Sequence, residues 1–161
     1  KRYSMKKYLI IIGGFGVVGL GYWLISPLFF SRTVSEELPT GEIQIGTDKT
    51  GEVVPAVLFT GQFEGKGLHN ATGTVSLIQI EEKYLIRFED NFNVTNGPDL
   101  FVHFGKDGEY VSEARLGNLK GNIGSQNYEV PSTINPTDYN EVWIWCRAFS
   151  VPFAQAILKD I

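Results

Sequence analysis

The chain has 161 residues, a formal net charge of −4 and one cysteine, Cys146, so an intramolecular disulfide is excluded. All 18 acidic residues follow Ser31, together with ten of the 14 Lys and Arg, so the part beyond Ser31 carries −8. That excess excludes a clustered basic surface for nucleic acid or anionic head groups, since phosphate contacts need grouped Lys and Arg.

From Tyr8 to Phe30 no residue is charged. Roughly 20 apolar residues span a bilayer, so residues 8–30 are expected to form one transmembrane anchor. Lys1, Arg2, Lys6 and Lys7 precede the run, and Arg32 and the Glu36-Glu37 pair follow it. The positive-inside bias places residues 1–7 in the cytoplasm as a basic stub and the C-terminal part outside, at the cell membrane. The exit, Ser26-Pro27-Leu28-Phe29-Phe30-Ser31, is bulky and lacks the small residues of a cleavage site, so a retained anchor is expected rather than a cleaved signal peptide.

Residues 31–57 read as a stalk. Pro39, Gly41, Gly46, Gly51 and Pro55 interrupt them, and only Ile43 and Ile45 alternate, so at most one edge strand is expected before a domain at 58–161.

Beyond Leu58 the period is two. Tyr84, Ile86 and Phe88 share one face of a strand while Arg87 and Glu89 take the other, the pattern of a half-buried antiparallel strand. Thr74 to Ile80 forms the preceding strand, with Glu81-Glu82-Lys83 as the connection. Leu100 to Phe104 is nearly apolar on both faces and is expected to be central. Tyr110 to Ala114, Asn127 to Val130, Val142 to Ala148 and Phe153 to Leu158 supply further strands, separated by Gly and Asn clusters. Many short strands at this spacing predict an all-β fold, an antiparallel sandwich or barrel-like domain preceded by the one helix. About a hundred residues bury one core and no more.

Several segments occur in the order seen in a known family. Gly61-x-Phe63 with His69 and Gly73, Asn91-Phe92 followed by Gly97-Pro98-Asp99-Leu100, and Leu116-Gly117-Asn118-Leu119-Lys120-Gly121 come first. Gly124-Ser125-Gln126-Asn127-Tyr128, Pro131, Tyr139, Val142-Trp143-Ile144-Trp145-Cys146 with Phe149, and Phe153-Ala154-x-Ala156 complete the set. Thr60 to Leu158 thereby resembles a DM-thirteen domain, the electron-transfer module that also accompanies DOMON domains in Skeletor-type animal proteins. Bacterial members with one N-terminal anchor and a short stalk share this layout. The resemblance implies that the lone cysteine acts as a redox thiol or holds a prosthetic group such as haem. It makes Cys146 the redox or ligand residue, with His69, Asp99, Tyr128 and Trp145 as its candidate pocket.

The residues themselves leave alternatives open. Alternation puts Cys146 with Val142 and Ile144, and puts Trp143, Trp145 and Arg147 on the other face. A cysteine among aliphatic residues is often inert core. His69, His103 and Cys146 would make the two-His-one-Cys set of a blue-copper site, but no Met or His follows the cysteine, so no metal is expected. No Cys-x-x-Cys-His run exists, so any haem would be non-covalent. Asp99 in Asn96-Gly97-Pro98-Asp99 suits a turn carboxylate, and the glycines at 117, 121 and 124 do not lead from a strand into a helix, so they are not phosphate cradles. No catalytic set appears at recognisable spacing. Three functions remain: a membrane-tethered redox module meeting an exported partner, a ligand-binding module, and an interaction domain whose cysteine is core.

Overall fold

The computed structural model describes residues 2–25, 30–39, 42–45, 49–52 and 55–161. Helix α1 runs Arg2–Ile25. Its apolar side chains point outward on every side: Tyr8, Ile10, Ile12, Phe15, Val17, Val18, Leu20 and Tyr22 are each 59–77 % exposed, with no protein surface covering them. Among the described residues no helix is long and apolar enough to cross a membrane. The anchor expected over 8–30 runs past them, and residues 26–29 lie outside the description.

The strands in chain order are β1 (Glu42–Ile45), β2 (Lys49–Glu52), β3 (Ala56–Gly65), β4 (Ala71–Thr72), β5 (Thr74–Ile80), β6 (Lys83–Phe88) and β7 (Asn93–Val94). They continue with β8 (Leu100–Lys106), β9 (Glu109–Asn118), β10 (Gln126–Glu129), β11 (Glu141–Cys146), β12 (Val151–Ile157) and β13 (Lys159–Asp160). β1 and β2 pair with each other, where at most one edge strand was expected. β4 and β7 form a second small pair.

The remaining strands form one antiparallel sheet in the order β10-β6-β5-β3-β12-β11-β8-β9, with β13 added beside β3. The sheet curls almost to closure. Tyr128 of the β10 edge lies in van der Waals reach of Gly117 near the end of the β9 edge, and its hydroxyl accepts from the Lys120 N–H at 3.0 Å. A barrel-like sheet therefore stands where sandwich and barrel were both open. β3 makes this feasible because its ten residues pair with β5 along one length and with β12 at the other. The strand expected over Val142 to Ala148 ends at Cys146, where a turn begins. Leu116-Gly117-Asn118, expected in a loop, is instead the last part of β9.

One face of every long strand fills the barrel. Val75 and Leu77 of β5, Ile86 and Phe88 of β6, Val102 and Phe104 of β8, and Val142, Ile144 and Cys146 of β11 are all 0–1 % exposed. Phe88 stands at the centre of an aromatic cluster, 4.8 Å from Phe63, 4.6 Å from Phe92 and 5.2 Å from Tyr128 by ring centroids. Replacing it leaves a void that four neighbouring strands cannot close. Phe88→Ala is expected to cost about 3–5 kcal/mol of unfolding free energy, read as a lower urea midpoint at unchanged slope in the full chain.

Candidate functional site

Cys146 is the last residue of β11, opposite Leu100 of β8 and Val151 of β12. Its side chain shares the inner face with Ile144 and is 0 % exposed. The alternation of β11 dictates this placement, because the same strand turns Trp143 and Trp145 to the outside.

Beside that strand end lies an open cleft of about 490 Å³. Its walls are Asn96–Leu100, Asn118–Asn122 and the segment Phe30–Arg32. Leu100 belongs to both places, since it lines the cleft and is the cross-strand partner of Cys146. Cys146 itself does not line the cleft; its neighbour across the ladder does.

The third wall comes from the stretch expected to be a free stalk. Residues 32–37 are bound to the domain as a strap. Thr33 bridges Ile123 in parallel, the Val34 N–H donates to Ile123 O at 2.9 Å, and the Glu36 N–H donates to Ser125 O at 3.0 Å. The Arg32 N–H donates to Asn122 Oδ1 at 2.6 Å. Gly121 and Gly124 make the close approach feasible, because a Cβ at either would run into the strap carbonyl of Arg32 or Val34. Gly124 also needs its φ of 91°.

Glu36 fastens the strap. Its carboxylate accepts from Lys120 Nζ and from the Asn127 N–H at 2.8 Å each, while its carbonyl accepts from Ser125 Oγ and Arg87 Nη1. Partial burial pushes the Glu36 carboxyl up, but the Lys120 and Asn127 hydrogen bonds and the charges of Lys120 and Arg87 outweigh it and hold the group below its ordinary value.

The other expected pocket residues do not gather around the sulfur. Asp99 lines the cleft and takes two hydrogen bonds from the Arg147 guanidinium, at 2.8 and 3.3 Å, while its backbone carbonyl accepts from the Arg147 N–H. His69 stacks flat on Phe153, with centroids 3.6 Å apart. The Tyr128 hydroxyl donates to Gln126 Oε1 at 2.8 Å, and burial pushes its phenol well above the ordinary range. Trp145 faces outward and stacks on Tyr110 at 4.1 Å. Asp99 alone of the four lines the cleft.

His103 also faces outward. Its Nδ1–H donates to Val111 O at 3.3 Å, and burial pushes the imidazole below its ordinary value. With His69 on Phe153, His103 on the outer face and Cys146 inside, the three donors diverge, and neither histidine nor the thiol lines the cleft. Among the described residues no group of three His, Cys, Asp or Glu is placed to hold a metal ion. A copper ligated jointly by these three does not fit the arrangement.

Two features escaped the sequence. The strap contact joins residues 51 to 91 positions apart, beyond any periodicity. The outer face of β8, β9 and β11 carries an aromatic layer under cations, with the Arg115 and Arg147 guanidinium centres 4.0 and 4.7 Å from the Phe101 ring. The Phe101, His103 and Trp145 alternation in β8 and β11 was the signal available for it.

A family model described as electron transfer DM13 matches residues 62–158. The chain belongs to that family. No curated protein and no solved structure matches it. The strap, at residues 32–37, lies outside the matched region, whereas its seat at 120–127 lies within it.

Because the folded-state value of Glu36 is depressed, its contribution to strap docking is complete above the ordinary value of 4.5 and is lost as pH falls through the lower folded value. Hydrogen-exchange protection factors of the Val34 and Glu36 amides are expected to drop below pH 4.5, and Glu36→Gln should remove that step while lowering protection at neutral pH.

Proposed function

We propose that this chain is a membrane-tethered electron-transfer module whose redox group is Cys146, approached through the cleft across Leu100. The observation that carries this is the pairing of Cys146 with Leu100, one and the same residue being the sulfur's cross-strand cover and a wall of the cleft. A thiol exchanging electrons needs a route to its partner, and the neighbour of Cys146 across the ladder is a residue of the cleft wall. A single cysteine with no second thiol in the chain attacks a partner's disulfide to form a mixed disulfide and release the partner's other sulfur as a thiolate, or is oxidised by a peroxide to a sulfenic acid that condenses with an exported partner's thiol to a mixed disulfide and water. Arg147, next to Cys146 in the chain, pairs with Asp99 in the cleft wall.

The tether rests on α1. From Tyr8 to Tyr22 the helix is apolar on every side and has no polar face to turn to water; continued through the uncharged residues up to Phe30, the run reaches the length a bilayer needs, and lipid is the medium that covers it. Lys1, Arg2, Lys6 and Lys7 at its start put the N-terminus in the cytoplasm and the DM13 domain outside the cell membrane. Only residues 26–31 separate Ile25 from the docked strap. At about 3.5 Å per extended residue this reaches no more than about 25 Å. The domain therefore rests close to the bilayer instead of standing off on a stalk.

Complete enclosure of Cys146 favours a second reading, in which the thiol only packs the core. Thiol–disulfide exchange separates the two. Membrane-embedded protein incubated with a small disulfide is expected to form a mixed disulfide slowly, and Leu100→Ala, checked for folding by its urea midpoint, to form it faster. No adduct in either protein before denaturation would leave only the packing role. The tether predicts that carbonate-washed membranes retain the chain; its appearance in the wash would overturn that part.

A further inference from the structure

The two ends of the barrel differ in chemistry. At one end β3, β6, β9 and β11 finish and β5, β8, β10 and β12 start, as the pairings Cys146 with Leu100 and Val151, Gly65 with Ala154, and Phe88 with Val75 and Gln126 require. The strap enters at this same end, where Phe30–Arg32 meets Asn96–Leu100 in the cleft. Two turn tips here carry apolar side chains with nothing over them. Leu68, beside Gly67 in a left-handed turn, is 100 % exposed, and Phe149, beside Ser150 at φ 53°, is 64 % exposed. Turn tips are ordinarily polar. The tight turns at the opposite end, Glu81-Glu82 and Asp107-Gly108, are polar, and the apolar side chains exposed toward that end, Val57 and Ile157, lie on strands and not on turn tips.

Isolated exposed apolar residues are common and carry no message. These two gain one from their place: both stand on the rim through which the chain arrives from α1, and cations flank both. Lys66 precedes the Leu68 turn and Arg147 precedes Phe149. Apolar tips beside Lys and Arg, at the level where a helix leaves the bilayer, match the chemistry of a lipid–water interface. The acidic tips lie at the end away from it. Asp90 and Asp99 share the near rim, with Asp99 held by Arg147.

We propose that this rim is a lipid-contacting face, with Leu68 and Phe149 seated among acyl chains and Lys66 and Arg147 at the head groups. The inference rests on the tether reading. It adds an orientation that tethering alone does not give, with the barrel standing end-on and the cleft opening at the bilayer surface. A partner of the cleft then approaches along the membrane plane.

The test places an environment-sensitive fluorophore on the full chain, in a Cys146→Ala background, at Leu68→Cys, Phe149→Cys or Glu82→Cys. The proteins are reconstituted in phosphatidylcholine vesicles with and without brominated acyl chains. Labels at 68 and 149 are expected to emit at shorter wavelength than the label at 82 and to lose intensity with brominated lipid, while the label at 82 loses none. Equal emission and no quenching at all three positions, in protein that floats with the vesicles, overturns the rim and leaves the tether standing. Quenching at 82 as strong as at 68 and 149 also overturns it, because the barrel then lies on its side. Protein that fails to float sinks the tether reading and the rim with it.

Discussion

The pairing of β11 between β8 and β12 decides what the rest of the molecule can be. On the inner side Val142, Ile144 and Cys146 meet Phe104, Val102 and Leu100, and none of the six is more than 8 % exposed. On the outer side Trp143 and Trp145 meet His103 and Phe101. Because the side-chain period of a strand is two, a slip of one residue would put two tryptophans into the barrel and three apolar residues into water. The register is therefore fixed by both faces at once. Cys146 is buried as a consequence of that constraint, and its placement at the last rung of the ladder is what leaves it next to an opening.

A second constraint ties the opening to the chain's entry. The cleft is incomplete without residues 30–32, and those residues are held by the strap through Glu36. Glu36 concentrates many donors on one residue: an ammonium, a guanidinium, a backbone N–H and a hydroxyl all point at its carboxylate or carbonyl. Hydrogen bonds to charged groups contribute about 1.5–3 kcal/mol each when well formed. With the Glu36 and Lys120 side chains one-third or more exposed, screening discounts that figure. What remains still favours a docked strap over a free one. The matched family region, 62–158, contains the seat but not the strap, so a domain cut at the match would lack one wall of its cleft.

Much of the barrel was legible from alternation alone, because β5, β6, β8 and β11 are amphipathic or wholly apolar over five or more residues. The connection at Glu81-Glu82 was readable for the same reason, since two clear strands flank it, and Glu81 takes the positive φ that a tight turn requires. The strap was not legible. Thr33 to Glu37 has no period, and its partners are a loop and an edge strand some 90 residues away, so only the folded chain brings them together. The candidate pocket failed for a related reason: a family motif marks residues that matter without saying which face each occupies. Parity correctly sent Trp145 away from Cys146. It could not foresee that His69, in a turn, would lie on Phe153. Nor did it foresee that Leu100, read only as a strand residue, would both pair with Cys146 and line the cleft.

The outer aromatic layer follows from the same parity, and its own cover keeps it out of water. Phe101 and Trp143 would expose large apolar faces on an open sheet, yet they are 2 % and 7 % exposed. Arg115 and Arg147 cover Phe101, Lys66 lies 5.7 Å over Trp143, and Tyr110 covers Trp145 from the edge strand. The buried Trp143 N–H donates to Glu141 at 2.7 Å, whose other oxygen accepts from the Gly108 N–H, so no polar group is stranded beneath the cover. Long cationic side chains shield aromatic surface with their stems and keep their charges in water. Two of these cations, Lys66 and Arg147, also flank the apolar tips at the entry rim.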